Sequence, residues 1–168
     1  MKPWLIAVIA LSLFAPATVA SRMQNTAELT ALADKVVSSI QGQKPDWKYQ
    51  SIEPVPGSGD VILQQWTLDN QSIRIAITSY KSTQDAAVAI SQLAREGQAT
   101  ETFQGLGDEG ITWGRGIVSF RKRNFMIDVS VTNTKPTLDR SELNKNTAEE
   151  RKLAKDFALI VADAIKDK

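Results

Sequence analysis

A chain of 168 residues, 42% hydrophobic, 23% charged and 7% aromatic, has the composition of an ordinary globular protein, not of a disordered, collagen-like or polytopic membrane chain. It contains no cysteine and no histidine. Disulfides, thiolate nucleophiles, Cys/His zinc sites, imidazole bases and the Ser-His-Asp arrangement are all excluded on that ground.

The first segment reads as a leader. Met1-Lys2-Pro3 carries one positive charge, Leu5 to Phe14 is an apolar run of signal-peptide length, and Pro16 with the small residues Ala17, Thr18 and Ala20 follows. The pattern predicts a signal peptide over 1–20, cut after Ala20, and a single exported domain over 21–168, periplasmic or extracellular in a bacterium. An uncleaved anchor is the alternative, because Pro3 to Ala20 is almost long enough to span a bilayer; Pro16 and the small residues favour cleavage, which leaves no stable membrane anchor. Removing the leader takes away Lys2 alone, so the 20 basic side chains fall level with the 19 acidic ones. A neutral mature chain is not expected to bind nucleic acid.

Residues 26 to 41 place Leu29, Leu32, Ala33, Val36, Val37 and Ile40 on one helical stripe, with Asn25 or Thr26 as cap and Gly42 as stop. Pro45, Pro54, Pro56, Gly57 and Gly59 break the next stretch, within which Trp47 to Ile52 reads as a short edge strand. Val61 to Leu68 and Ser72 to Tyr80 form a hairpin turning at Asp69-Asn70-Gln71. At Ser82 the period changes to 3.6: Ser82 and Asp85 make a capping signal, Ala86, Ala89, Ile90, Leu93 and Ala94 give the stripe, and Gly97 ends the helix. Ile111 to Trp113, Gly116 to Phe120 and Phe125 to Thr132 read as strands, the last two joined by a turn at Arg121-Lys122-Arg123-Asn124. Thr134 to Lys145 reads as a polar loop. A final helix then starts at Asn146 or Thr147, with Leu153, Phe157, Ile160, Val161, Ala164 and Ile165 as its apolar stripe.

The order helix, strands, helix, strands, helix predicts an α+β fold, an antiparallel sheet of about five to six strands packed against three helices. Six strands at about 4.8 Å spacing give a width of roughly 29 Å, enough for all three helices on one face; that placement would leave the other face partly open.

With its Gly105-Leu106-Gly107-Asp108-Glu109-Gly110 segment followed by a hairpin and a terminal helix, the chain resembles small exported bacterial domains with a PsbP-like α/β layout over about residues 61 to 165. The resemblance implies an antiparallel sheet against helices and a binding or accessory role. Such domains are often lipoproteins or tethered sensors; lacking a cysteine after its apolar run, this chain departs from that pattern.

The same glycine segment lacks the Gly-Lys-Ser/Thr of a phosphate loop and runs into a strand, so it reads as a tight turn. Asp108 and Glu109 without a spaced acidic series are a poor calcium loop. The candidate binding residues are the cations Arg115, Arg121, Lys122 and Arg123, which suit a small anionic ligand or an acidic protein surface. Asp128 is placed to satisfy one of them across the sheet. Trp47, Trp66 and Trp113 read as core, with an aromatic pocket around Tyr80 as the alternative. No metal, cofactor or catalytic residue is expected. The leading reading is an exported monomeric binding or accessory module without catalytic activity. Two alternatives stand beside it: a hydrolase working through carboxylates alone, and a protein-interaction module using the basic hairpin tip.

Overall fold

Alternation and helical periodicity are realised as one antiparallel sheet with helices on both faces. A computed structural model describes residues 17–54, 56, 60–114, 116–133 and 140–166. Its elements are α1 (Ala17–Gln43), β1 (Lys48–Ile52), β2 (Val61–Leu68), β3 (Gln71–Ser79), α2 (Thr83–Glu96), β4 (Glu101–Phe103), β5 (Glu109–Trp113), β6 (Ile117–Lys122), β7 (Phe125–Asn133) and α3 (Arg140–Ala164). The fold is α+β, with three helices and a seven-stranded sheet ordered β1-β2-β3-β7-β6-β5-β4. Two meanders, β1–β3 and β4–β7, meet at the central β3–β7 pair, where Ile75 lies opposite Val129 and Ile77 opposite Ile127.

The core lies between that sheet and the α1–α3 layer. Ile73, Ile75 and Ile77 of β3 are fully buried, as are Phe120, Ile127 and Val129. Above them sit Val36 and Ile40 of α1 and Phe157 and Val161 of α3, all fully buried on the expected stripes. Trp47 closes one end of this layer, its ring edge-on to Phe157 at 5.0 Å between centroids. Gln64 ties α1 to the sheet, donating from Nε2 to the Ala33 carbonyl at 3.0 Å.

Several expectations need correction. The seventh strand, β4, has only three residues, too few to show alternation. Only α1 and α3 share a face: α2 packs on the other, where Ile90 meets Ile111 and Met126. It covers β6 and β7 and leaves Val61, Leu63, Gln65 and Arg74 partly or fully exposed. The first and last helices begin earlier than the apolar stripes indicate, at Ala17 and Arg140, so Asn25, Thr26, Asn146 and Thr147 lie within helices and do not cap them. The first turns of α3 are polar, so hydrophobic periodicity cannot detect them, while those of α1 carry Ala17, Val19 and Ala20, which read as the end of the leader. Likewise α1 runs one residue past Gly42 and stops before Pro45, which has no N–H to continue it. Residues 1–16 of the expected leader lie outside the described residues, as do 134–139 of the expected polar loop; the bond after Ala20 falls within α1. No described helix is long and apolar enough to cross a membrane.

Candidate functional site

The basic turn proves to be one half of a clamp. β6 extends through Lys122, so Arg121 and Lys122 are strand residues and the tip is Arg123–Asn124 alone, with Arg123 at φ 54°. The glycine segment lies against this tip. The Asp108 Oδ2 atom accepts from Arg121 Nη1 at 3.1 Å and from the Arg123 backbone N–H at 2.7 Å, while Lys122 Nζ stands 3.6 Å from Oδ1. The Asp108 N–H donates to the Arg121 carbonyl at 2.7 Å. Gly107 makes this approach possible: it has φ 61°, and a side chain there would run into that same carbonyl. Arg121 also donates to the Arg123 carbonyl at 3.2 Å and lies 4.0 Å from Glu109. The acid paired with Arg121 and Lys122 is thus Asp108, not Asp128. Of the four candidate cations, Arg121 and Lys122 are drawn into the clamp. Arg123 is exposed and lines a hollow of about 770 Å³ with Lys35, Ser38 and Lys166. Arg115 lies outside the described residues.

Asp128 belongs to a different group, beneath α2. Trp113 Nε1 donates to Ser119 Oγ at 2.7 Å, and Ser119 in turn donates to Asp128 Oδ1. Burial pushes the Asp128 carboxyl up from the ordinary carboxylate range, and the Ser119 hydrogen bond pulls it part of the way back. The Tyr80 phenol is raised too, first by burial and then by the Asp128 charge. Trp113 and Tyr80 both pack against the cluster of Ile90, Ile111 and Met126, while Trp66 lies in the main core beside Tyr49. The tryptophans therefore do not form one cage.

A third feature lies where α3 crosses the β4–β5 edge. Thr100, Glu101, Thr112, Ala148, Arg151, Lys152 and Lys155 line a hollow of about 560 Å³. The sheet provides one wall: Thr112 faces α3, next to Glu101 in the β4–β5 register. Thr112 is 6% exposed, and its hydroxyl is buried with no hydrogen-bond partner. Its backbone carbonyl is satisfied by the Thr100 N–H at 2.8 Å. Lys155 reaches Glu101 at 3.3 Å and stands 4.2 Å from the centre of the Phe103 ring. Among the described residues, no group of three or more carboxylates gathers to hold a metal ion.

Sequence reasoning missed this hollow. The spacing of Arg151 and Lys155 marks one exposed helical face, but a solvated face gives the same pattern, and β4 was not visible as a strand. No protein-family model, curated protein or solved structure matches the chain.

Proposed function

We propose that the chain is an exported, soluble binding or accessory module without catalytic activity, and that its ligand occupies the hollow between α3 and β4–β5. One observation carries this reading: Thr112, a residue that lines the hollow, has a buried hydroxyl without a partner. Burying an unsatisfied hydroxyl costs about 1–3 kcal/mol, a cost that a ligand oxygen or nitrogen at that position offsets. Three other orphaned atoms lie away from the hollow: Gln64 Oε1 and Trp66 Nε1 belong to side chains packed under α1 and in the main core, and Arg121 Nε lies in the clamp, 4.0 Å from Glu109. The volume of about 560 Å³ suits a small molecule. Export is supported by the Lys2, Leu5 to Phe14 and Ala20 pattern.

The alternatives draw less support. A contact surface centred on the basic turn loses Arg121 and Lys122 to Asp108. Paired-carboxylate hydrolysis needs two carboxyls flanking one bond, whereas Asp128, the carboxyl with the raised pKa, bonds Ser119. A thermal-shift screen of the full chain against neutral sugars, amines and small acids tests the binding reading. A ligand of the hollow raises Tm, by the equivalent of about 2.7 kcal/mol at a hundred times its Kd, and Thr112→Val reduces that rise. A panel without any shift would overturn it.

A further inference from the structure

We infer that the ligand of the α3–β4/β5 hollow carries an oxyanion group, held by Arg151 and Lys152 and completed by the Thr112 hydroxyl. This rests on the binding reading above and adds the chemical class. The lining has three cations, Arg151, Lys152 and Lys155, against one carboxylate, Glu101. Glu101 and Lys155 answer each other at 3.3 Å, and Lys155 is further fixed over the Phe103 ring. They form a neutral side of the hollow. Arg151 and Lys152 are exposed, and neither pairs with a carboxylate among the described residues. The excess positive charge of the hollow therefore sits on these two side chains.

Arg151 is also placed in a way an ordinary surface arginine is not. Its stem lies against Gly116, at φ 109°, where a side chain would collide with the Arg151 Cγ. The start of the arginine side chain is thus packed on backbone, which leaves fewer rotamers to lose when its guanidinium fork closes on two oxygens of a ligand. Lys152 follows as a mobile point charge. On the sheet side of the lining, the Thr112 hydroxyl has a proton to donate and nothing in the described protein to receive it. Two cations and a hydroxyl donor in a concavity match an acceptor-only, negatively charged group, in which field focusing strengthens the attraction. Phosphate monoesters and carboxylates share that chemistry, and the experiment separates them.

The test is calorimetric titration of the full chain with inorganic phosphate, with succinate and with glucose, each at low salt and at about 0.15 M salt. Saturable binding of phosphate or succinate, weaker at the higher salt and absent for glucose, is the expected result; the stronger of the two anions identifies the tetrahedral or the planar class. The double variant Arg151→Gln, Lys152→Gln, altered at exposed positions, should weaken that binding at least about tenfold. Thr112→Val should weaken it about tenfold, the loss of one hydrogen bond to a charged group. The same valine should leave the ligand-free Tm unchanged or higher, because it removes an orphaned buried hydroxyl; a purely structural threonine would show the opposite. Anion binding that survives the double variant would place the anion elsewhere and overturn the inference. Binding of glucose but of neither anion would also overturn it, yet leave the binding-module reading standing. A hollow that takes none of the three, in a chain for which the wider screen finds no ligand, would end both.

Discussion

Asp128 shares the α2-side face of the sheet with Ile111 and Met126, and its carboxylate accepts a hydrogen bond from Ser119. Burial raises its folded pKa above the unfolded value, so the folded chain binds a proton that the unfolded chain releases. Stability from this group is therefore greatest below about pH 3.9, falls as pH climbs through the raised folded value, and stays reduced above it. Asp128→Asn keeps an acceptor for Ser119 and removes the charge. Its stability gain over wild type should be smaller at pH 3 than at pH 7, as read from urea midpoints; an equal difference at both would mean that Asp128 titrates as an ordinary carboxyl. Gly107 presents a steric case instead. A Cβ there needs a positive φ that L residues resist, and it meets the Arg121 carbonyl that Asp108 bonds. Gly107→Ala should cost at least about 2 kcal/mol and loosen the whole clamp. Full stability in that variant would show that the glycine segment is not held against β6.

Phe157 couples the elements most directly, since α3 buries it fully against the sheet and edge-on to Trp47, just beyond α1. Phe157→Ala should cost about 3–5 kcal/mol through lost burial and a residual cavity; an unchanged denaturation midpoint would mean that α3 is not docked. Elements of this kind were legible in the sequence because a buried stripe repeats. Ile73, Ile75 and Ile77 alternate, and Ser82 does cap α2, its Oγ accepting from the Asp85 N–H at 3.1 Å. What failed was whatever lacked such a repeat: the three residues of β4, the polar first turns of α3, and the first turns of α1, whose Ala17 to Ala20 read as a leader end. The face chosen by α2 was left open by the sheet width alone, although a clue was present. Phe125, Met126 and Ile127 are consecutive and all buried. Successive strand residues point to opposite faces, so an apolar run there requires cover on both sides of β7.

The candidate site becomes visible only when the whole chain is assembled. Its Thr112 wall and its Arg151 and Lys152 side come from strands and a helix far apart in sequence, and a net charge near zero conceals a local excess of two cations. The basic residues that did stand out, Arg121 and Lys122, were conspicuous because they are adjacent, and the fold uses them to hold Asp108. The segment read as a leader presents the reverse case: it comes from local pattern, and the proposed cut has to be compatible with the folded whole. The first buried side chain of α1 among the described residues is Leu29, followed by Ala33, Val36 and Ile40. All four remain in a chain that starts at Ser21. Cleavage after Ala20 should therefore keep that stripe whole and change stability by no more than about 0.5 kcal/mol. Mass spectrometry of protein exported by a bacterial host should find Ser21 at the N-terminus, and its urea midpoint should match that of the uncut chain. Recovery of intact Met1 in a stable membrane fraction would reverse the reading and make the same apolar run an anchor. A cut chain with a much lower midpoint would show instead that residues before Ser21 contribute to stability, which would move the functional boundary of the domain ahead of Ser21.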